Sequence, residues 1–193
     1  MPPPVVHPVI HVEYPDWVDA VVDWHRAYGT AEERMGVAVA VARENVERGS
    51  GGPFGAAIFE TESGRLLAVG MNSVVRLGNC VLHAEMVAFM MAQQRVGSFT
   101  LHAPNLPEHE LHTSCEPCAM CLGAALWSGV RRVAIGAARE DATRLAFDEG
   151  PVFPESYRYL EERGVRIVRD VLRDEARAVL DLYRELDGQI YNG

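Results

Sequence analysis

The chain contains no lysine. Its 18 cationic side chains are all arginines, set against 27 carboxylates, for a formal net charge of −9. Arg131-Arg132 is the one adjacent cationic pair. Binding a long polynucleotide needs a basic surface to displace counterions, so an extended nucleic-acid partner is not expected. The sequence also lacks an apolar run long enough to cross a bilayer. Its start, MPPPVVHPVIH, has neither the basic region nor the apolar stretch of a secretory signal. The reading is a cytoplasmic protein with no membrane partner. Cysteine is scarce, with four residues, and Cys115, Cys118 and Cys121 crowd together. Two disulfides are hard to draw from that crowding, and Cys118-x-x-Cys121 reads as a metal or redox element.

What is present is ordinary globular material: 193 residues, 48% hydrophobic and 23% charged, enough for one core. Residues 1–31 read as an N-terminal extension. A proline-rich start leads into an amphipathic stretch, Val18 to Tyr28, ended by Gly29. The domain proper is 32–193. Thr30 followed by Glu33 fits a capping box and predicts a helix to about Arg48, ended by Ser50-Gly51-Gly52-Pro53. Strands are expected at Phe54–Glu60 and Leu66–Asn72, joined by a turn at Ser63-Gly64. Ala84–Val96 is apolar nearly all round, as a buried helix would be. Next come a strand at Glu110–Ser114, a helix from Pro117 through Trp127, and a strand at Val130–Gly136. After a loop holding Phe147-Asp148-Glu149-Gly150-Pro151, a helix (Glu155–Arg163), a strand (Val165–Arg169) and a closing helix (Asp174–Asp187) follow. A hairpin followed by right-handed crossovers gives an α/β fold in three layers, α/β/α, around a mixed five-stranded sheet.

Two segments carry chemistry: His83-Ala84-Glu85 and Pro117-Cys118-Ala119-Met120-Cys121. Together they read H-x-E … P-C-x-x-C, the pattern of zinc deaminases. A catalytic zinc takes three protein ligands and keeps one position open for water. One imidazole and two thiolates, His83, Cys118 and Cys121, supply three. The two cysteines share the first turn of a helix, whose positive end favours thiolates. Glu85 sits close to the metal without ligating it, placed to take a proton from water and return it to a ring nitrogen. Three other readings stand beside this one. A redox pair would have no use for His83 and Glu85. A structural zinc would want a fourth ligand, for which Cys115 is the candidate. A zinc-folded binding module would leave Glu85 without a task. His102, His109 and His112 show no partner pattern.

With these motifs go further landmarks: Gly51-Gly52-Pro53-Phe54-Gly55-Ala56, Asn72, Cys115-Glu116 ahead of the metal motif, Leu122-Gly123-Ala124 after it, Trp127, and Phe147 to Pro151. Over about residues 32–193 the chain resembles the cytidine deaminase-like superfamily. Within it, the chain is most similar to the bacterial guanine deaminases, including the branch that handles ammeline. The resemblance implies the cytidine deaminase-like fold, one Zn2+ per chain, and hydrolysis of guanine to xanthine and ammonia. It implies a hydrogen bond from Asn72 to the purine edge, a proton-shuttling role for Glu149 at the leaving amino group, and Trp127 as a wall of the base pocket. Phe54 and Ala84 would also contact the base. On the residues alone, Asn72 also fits a turn former, Glu149 a solvated turn, and Trp127 and Phe54 plain core. Asn79-Cys80-Val81-Leu82 departs from the Pro-Thr-Ala sequence of many relatives at the pocket mouth, which bears on substrate choice. Other substrates of the same chemistry are ammeline, a cytosine-type ring, a nucleoside or a tRNA adenosine, the last opposed by the net charge. Members of the family usually form homodimers, and in some the tail, here Ile190-Tyr191-Asn192-Gly193, closes a partner's site.

Overall fold

A computed structural model of the chain describes residues 7–192; residues 1–6 of the proline-rich start and Gly193 of the tail lie outside the described residues. The elements are α1 (Val18–Val21), α2 (Ala31–Glu47), β1 (Gly55–Glu60), β2 (Leu66–Met71), α3 (Val74–Leu77), α4 (Ala84–Val96), β3 (His109–Cys115), α5 (Ala119–Ser128), β4 (Arg132–Ala137), α6 (Arg139–Thr143), α7 (Pro154–Glu162), β5 (Arg166–Val168) and α8 (Arg173–Glu185). The sheet has five strands in the order β2-β1-β3-β4-β5. β1 runs antiparallel to β2 and β3, while β3, β4 and β5 are mutually parallel. It is the mixed sheet the sequence predicts. One face packs on α2 and α8 through Met35, Val41, Val179 and Leu180. The other packs on α4, α5 and α7 through Ala88, Phe89, Ala125 and Leu160.

Local chemistry explains the boundaries. α2 opens on the capping box: Glu33 N–H donates to Thr30 Oγ1 at 3.1 Å, and the Glu33 carboxylate accepts the Thr30 N–H at 3.2 Å. α4 lies tight on β2, because a Cβ on Gly70 would stand 2.0 Å from the Ala84 carbonyl oxygen. Only glycine allows that approach, and it brings the start of α4 down onto the sheet.

The structure differs from the sequence reading in several places. The stretch Val18 to Tyr28 is helical only over α1. The Tyr28 hydroxyl donates to the Asp23 carbonyl at 3.0 Å and holds the rest in an irregular path. Trp17, Val18, Val22 and Tyr28 are buried in the main core, so this part of the expected extension packs on the domain. α3 and α6 are short turns with no apolar period to announce them. α5 begins two residues after Pro117, with Cys118 at its N-cap.

His112, without a visible partner in the sequence, belongs to a buried ion cluster at the start of β3. Glu110 is fully buried there. Its carboxylate pairs with Arg34, with Arg132 at 2.9 Å, and with His112 Nε2 at 2.8 Å. Arg34 also donates to the Tyr28 and Thr61 carbonyls at 2.8 and 3.1 Å, tying α2 to the loop before it and to the turn between β1 and β2. Among the described residues, no helix is long and apolar enough to cross a membrane.

Candidate active site

The starts of α4 and α5 meet at one spot. His83 is the N-cap of α4 and Cys118 the N-cap of α5, both with extended backbone and neither using its side chain to cap its helix. The two side chains face each other instead, and Cys121 follows on the first turn of α5. One donor atom from each of His83, Cys118 and Cys121 lies within 4.8 Å of the others. Cys118 Sγ stands 3.5 Å from His83 Nδ1. Zinc–sulfur and zinc–nitrogen bonds of ordinary length, spread tetrahedrally, put those two atoms about 3.5 Å apart.

The protonation pattern fits the same group. A hydrogen bond from Cys121 pulls the Cys118 thiol down to about 4, against the effect of burial and with help from His83. The Cys121 thiol is pushed up, by Cys118 first and then by burial. One proton is thus shared across two sulfurs at the positive ends of two helices, where a dication can replace it. Cys115, the candidate fourth ligand, is outside this group and directs its Sγ to the Ala138 carbonyl at 3.8 Å. Three protein ligands with no fourth among the described residues is the pattern of a catalytic site, not a closed structural one.

Above the ligands lies a cavity of about 40 Å³, lined among others by Phe54, Asn72, His83, Glu85, Glu149 and Tyr191. Glu85 is 5% exposed, and Thr113 Oγ1 donates to its Oε1 at 3.1 Å. Burial raises its carboxyl above the usual range, reinforced by the Cys118 charge. Glu149 comes in on the loop after α6, which is pinned to α5 by the Ala119 N–H donating to the Glu149 carbonyl at 2.9 Å. Burial first, then the charges of Cys118 and Glu85, push its carboxyl up to about 8. Asn72 is 1% exposed; its Oδ1 accepts the Val74 N–H at 3.3 Å and its Nδ2 has no partner. Its backbone is held from behind by Asn45, whose Nδ2 donates to the Asn72 and Gly52 carbonyls, each at 2.9 Å.

The tail closes the top. Tyr191 lies over Gly52, where a Cβ would stand 1.9 Å from its hydroxyl oxygen. Phe147 packs edge-on between Phe54 at 5.0 Å and Tyr191 at 5.2 Å. Asn192 clamps the loop, accepting from Asp148 N and donating to the Ala146 carbonyl, both at 2.9 Å. The described tail therefore covers the cavity of its own chain.

The structure brings together His83, Glu85, Cys118, Cys121, Asn72, Glu149 and Phe54. It does not bring Trp127 or Ala84. Trp127 is 80% exposed at the far end of α5. It is nine residues past Cys118, roughly 14 Å along the helix axis, so it neither walls this chain's pocket nor joins its core. Ala84 is fully buried in the core against Gly70, because the helix turn that aims Glu85 at the metal side aims its neighbour at the sheet. Sequence reasoning missed Thr113, Asn45 and the packing role of Phe147. Alternation on β3 offers a signal for Thr113, a polar residue on the strand face that packs on α4.

The family described as the cytidine and deoxycytidylate deaminase zinc-binding region matches residues 29–137. The chain belongs to this family. Guanine deaminase from Bacillus subtilis (strain 168) is 38% identical over 128 residues, covering 66% of this chain and 78% of that protein. The solved structure of guanine deaminase from Nitrosomonas europaea superposes with a TM-score of 0.88 at 37% identity, over 94% of this chain and all of that one (100%). A solved complex with 2,6-diaminopurine gives a TM-score of 0.88 at 40% identity, over 94% and 96%. The protein is thus a zinc-dependent hydrolytic deaminase. The family's matched region includes both motifs but stops before Glu149 and Tyr191.

Proposed function

We propose that this deaminase converts free guanine and water to xanthine and ammonia. The observation that carries the reading is the cavity. It sets one unpartnered amide donor, Asn72 Nδ2, and two carboxyls of raised pKa, Glu85 and Glu149, beside a three-ligand metal site. His83, Cys118 and Cys121 would hold the zinc, which when bound would supply a nucleophile by lowering the pKa of a water to about 7. Glu85 takes the proton released there and passes it to the ring nitrogen beside the amino-bearing carbon. Glu149, protonated near neutrality, delivers the proton that lets ammonia leave. Asn72 donates to the purine edge and Phe54 packs against the ring. A free base is favoured over a nucleoside by the likeness to guanine deaminases, since guanine carries no sugar. The net charge of −9 speaks against a tRNA substrate. Ammonia release from guanine, ammeline, cytosine, cytidine, adenine and guanosine tests the substrate. Guanine is expected to lead, and preferential turnover of any other compound overturns that choice.

The tail acts as a lid in this proposal. At about 40 Å³ the cavity is far smaller than the roughly 300–1,000 Å³ of a small-molecule site. A purine enters only when Tyr191 swings away, and on return the ring excludes water from the reaction. Removing residues 189–193 is expected to lower kcat/KM by at least about tenfold with zinc retained. Unchanged kcat/KM would remove the lid.

The homodimer belongs with this reading. α5 carries no charged residue, and Gly123, on its outer side, would meet nothing within 4 Å if given a Cβ. One turn on is the exposed Trp127. A notch and an aromatic knob on one uncharged helix suit pairing with a second copy about a two-fold axis. Sedimentation at micromolar concentration should give a dimer that Trp127→Asp dissociates; a wild-type monomer would refute it. The cytoplasmic placement rests on the four free cysteines, which suit a reducing compartment; isolation of the native protein with these thiols oxidised would count against it.

A further inference from the structure

We propose that Thr113 is the positioning residue of this deaminase, fixing the Glu85 carboxylate through one hydroxyl. Thr113 lies on β3, the central strand, paired with Ala56 of β1 on one side and Ile135 of β4 on the other. It is 2% exposed. A backbone laddered on both edges is among the most rigid reference points a small domain has. The side chain faces α4, on the same side of the strand as Leu111.

Its Oγ1 stands 3.1 Å from Glu85 Oε1 and 2.9 Å from the Cys115 carbonyl. The hydroxyl has one proton for these two acceptors: donated to Oε1 it holds the carboxylate, and the Cys115 carbonyl at the end of the strand is the position it turns to when Glu85 does not take it. The Cys121 thiol and the residue's own backbone N–H also meet the Glu85 carboxylate; Thr113 is the hydroxyl that anchors it from the sheet, at Oε1. Without the hydroxyl, a three-torsion side chain would have to find that orientation at each turnover. Misplacement of a reacting group by about 1 Å can cost about 10²-fold in rate. The main-chain role of this strand segment is separate. Ser114, the next residue, uses its hydroxyl to accept the Gly55 N–H at 3.0 Å on the other face.

The inference rests on the deaminase reading and is tested on whichever amine the wild type turns over fastest, so the choice of guanine can fail without it. Thr113→Val keeps the shape and removes the hydroxyl. We expect kcat to fall about 10- to 100-fold with KM within about twofold and zinc still at one per chain. Thr113→Ser restores the hydroxyl without the methyl and is expected to recover most of the lost kcat. A purely packing role would give the opposite ranking, with Val near wild type and Ser impaired. Should the valine variant fail to fold, Thr113→Ala against Thr113→Ser makes the same comparison. Wild-type kcat in a variant without the hydroxyl, or a loss carried wholly by KM, overturns the proposal.

Discussion

Replacing Glu85 by alanine is expected to lower kcat by about 10²- to 10⁴-fold while the protein keeps its zinc. The metal group consists of His83, Cys118 and Cys121 and does not include Glu85, so nothing in the donor set is lost. What is lost is a buried carboxyl on the cavity wall, adjoining the ligands and held by Thr113. Folding should suffer little, since the deleted atoms border a cavity. Glu85→Gln sharpens the test. The amide oxygen still accepts from Thr113 with the same shape, yet an amide cannot carry a proton between water and a ring nitrogen. Both variants should therefore fall together. Steady-state kcat, with metal content on the same samples, decides it. Near-normal turnover in either zinc-loaded variant would show that Glu85 has no part in proton transfer.

The parts of this site legible in the sequence are those whose geometry is local. His83 and Glu85 flank one helix start, and Cys118 and Cys121 share one helical turn, so spacing alone places each pair. The capping box at Thr30 and Glu33 and the five strands were legible for the same reason. Contacts made across long separations were not. Thr113 meets Glu85 over 28 residues, Asn45 meets Asn72 over 27, and Asp148 meets Asn192 over 44. No periodicity reports such a meeting; only the sheet order does. Trp127 fails differently. α5 has no charged residue on any side, so its pattern does not say which face looks outward, and the resemblance puts the ring in a pocket that lies away from it in this chain. The stretch from Val18 to Tyr28 reads as amphipathic, but the Tyr28 bond to Asp23 and its burial beside Phe59 outweigh helical propensity at its end.

Replacing Glu110 by alanine should cost about 3–5 kcal/mol of stability, because it leaves buried cations without their counter-charge. Arg34 is 7% exposed at its side chain and Arg132 24%, and Glu110 is the carboxylate between them. For a chain of this size that is a fall of roughly 6–20 °C in Tm. The cluster also fixes the sign of the pH dependence. Burial alone would raise the Glu110 carboxyl, but the bonds from His112 and Arg34 prevail and hold it below the usual range. Its contribution is therefore complete above the unfolded value of about 4.3 and is lost as pH falls through the lower folded value. His112 is held below its ordinary value by burial, against the pull of Glu110. Its Nε2–H donates to the carboxylate while Nδ1 is left without a partner, which suits the neutral ring. Below about pH 6.5 the unfolded chain binds a proton that the folded one refuses, so stability declines from there as well. The raised carboxyls of Glu85 and Glu149 oppose this slope, because the folded chain holds their protons more tightly, so urea midpoints of Glu110→Ala and wild type are compared at each pH from 8 to 3. The variant's midpoint should be lower at pH 8, and its gap to the wild type should narrow below about pH 4.5. A variant with the wild-type midpoint and the same acid slope would mean that the two arginines reach water when their partner is removed, and that the cluster contributes nothing to the fold.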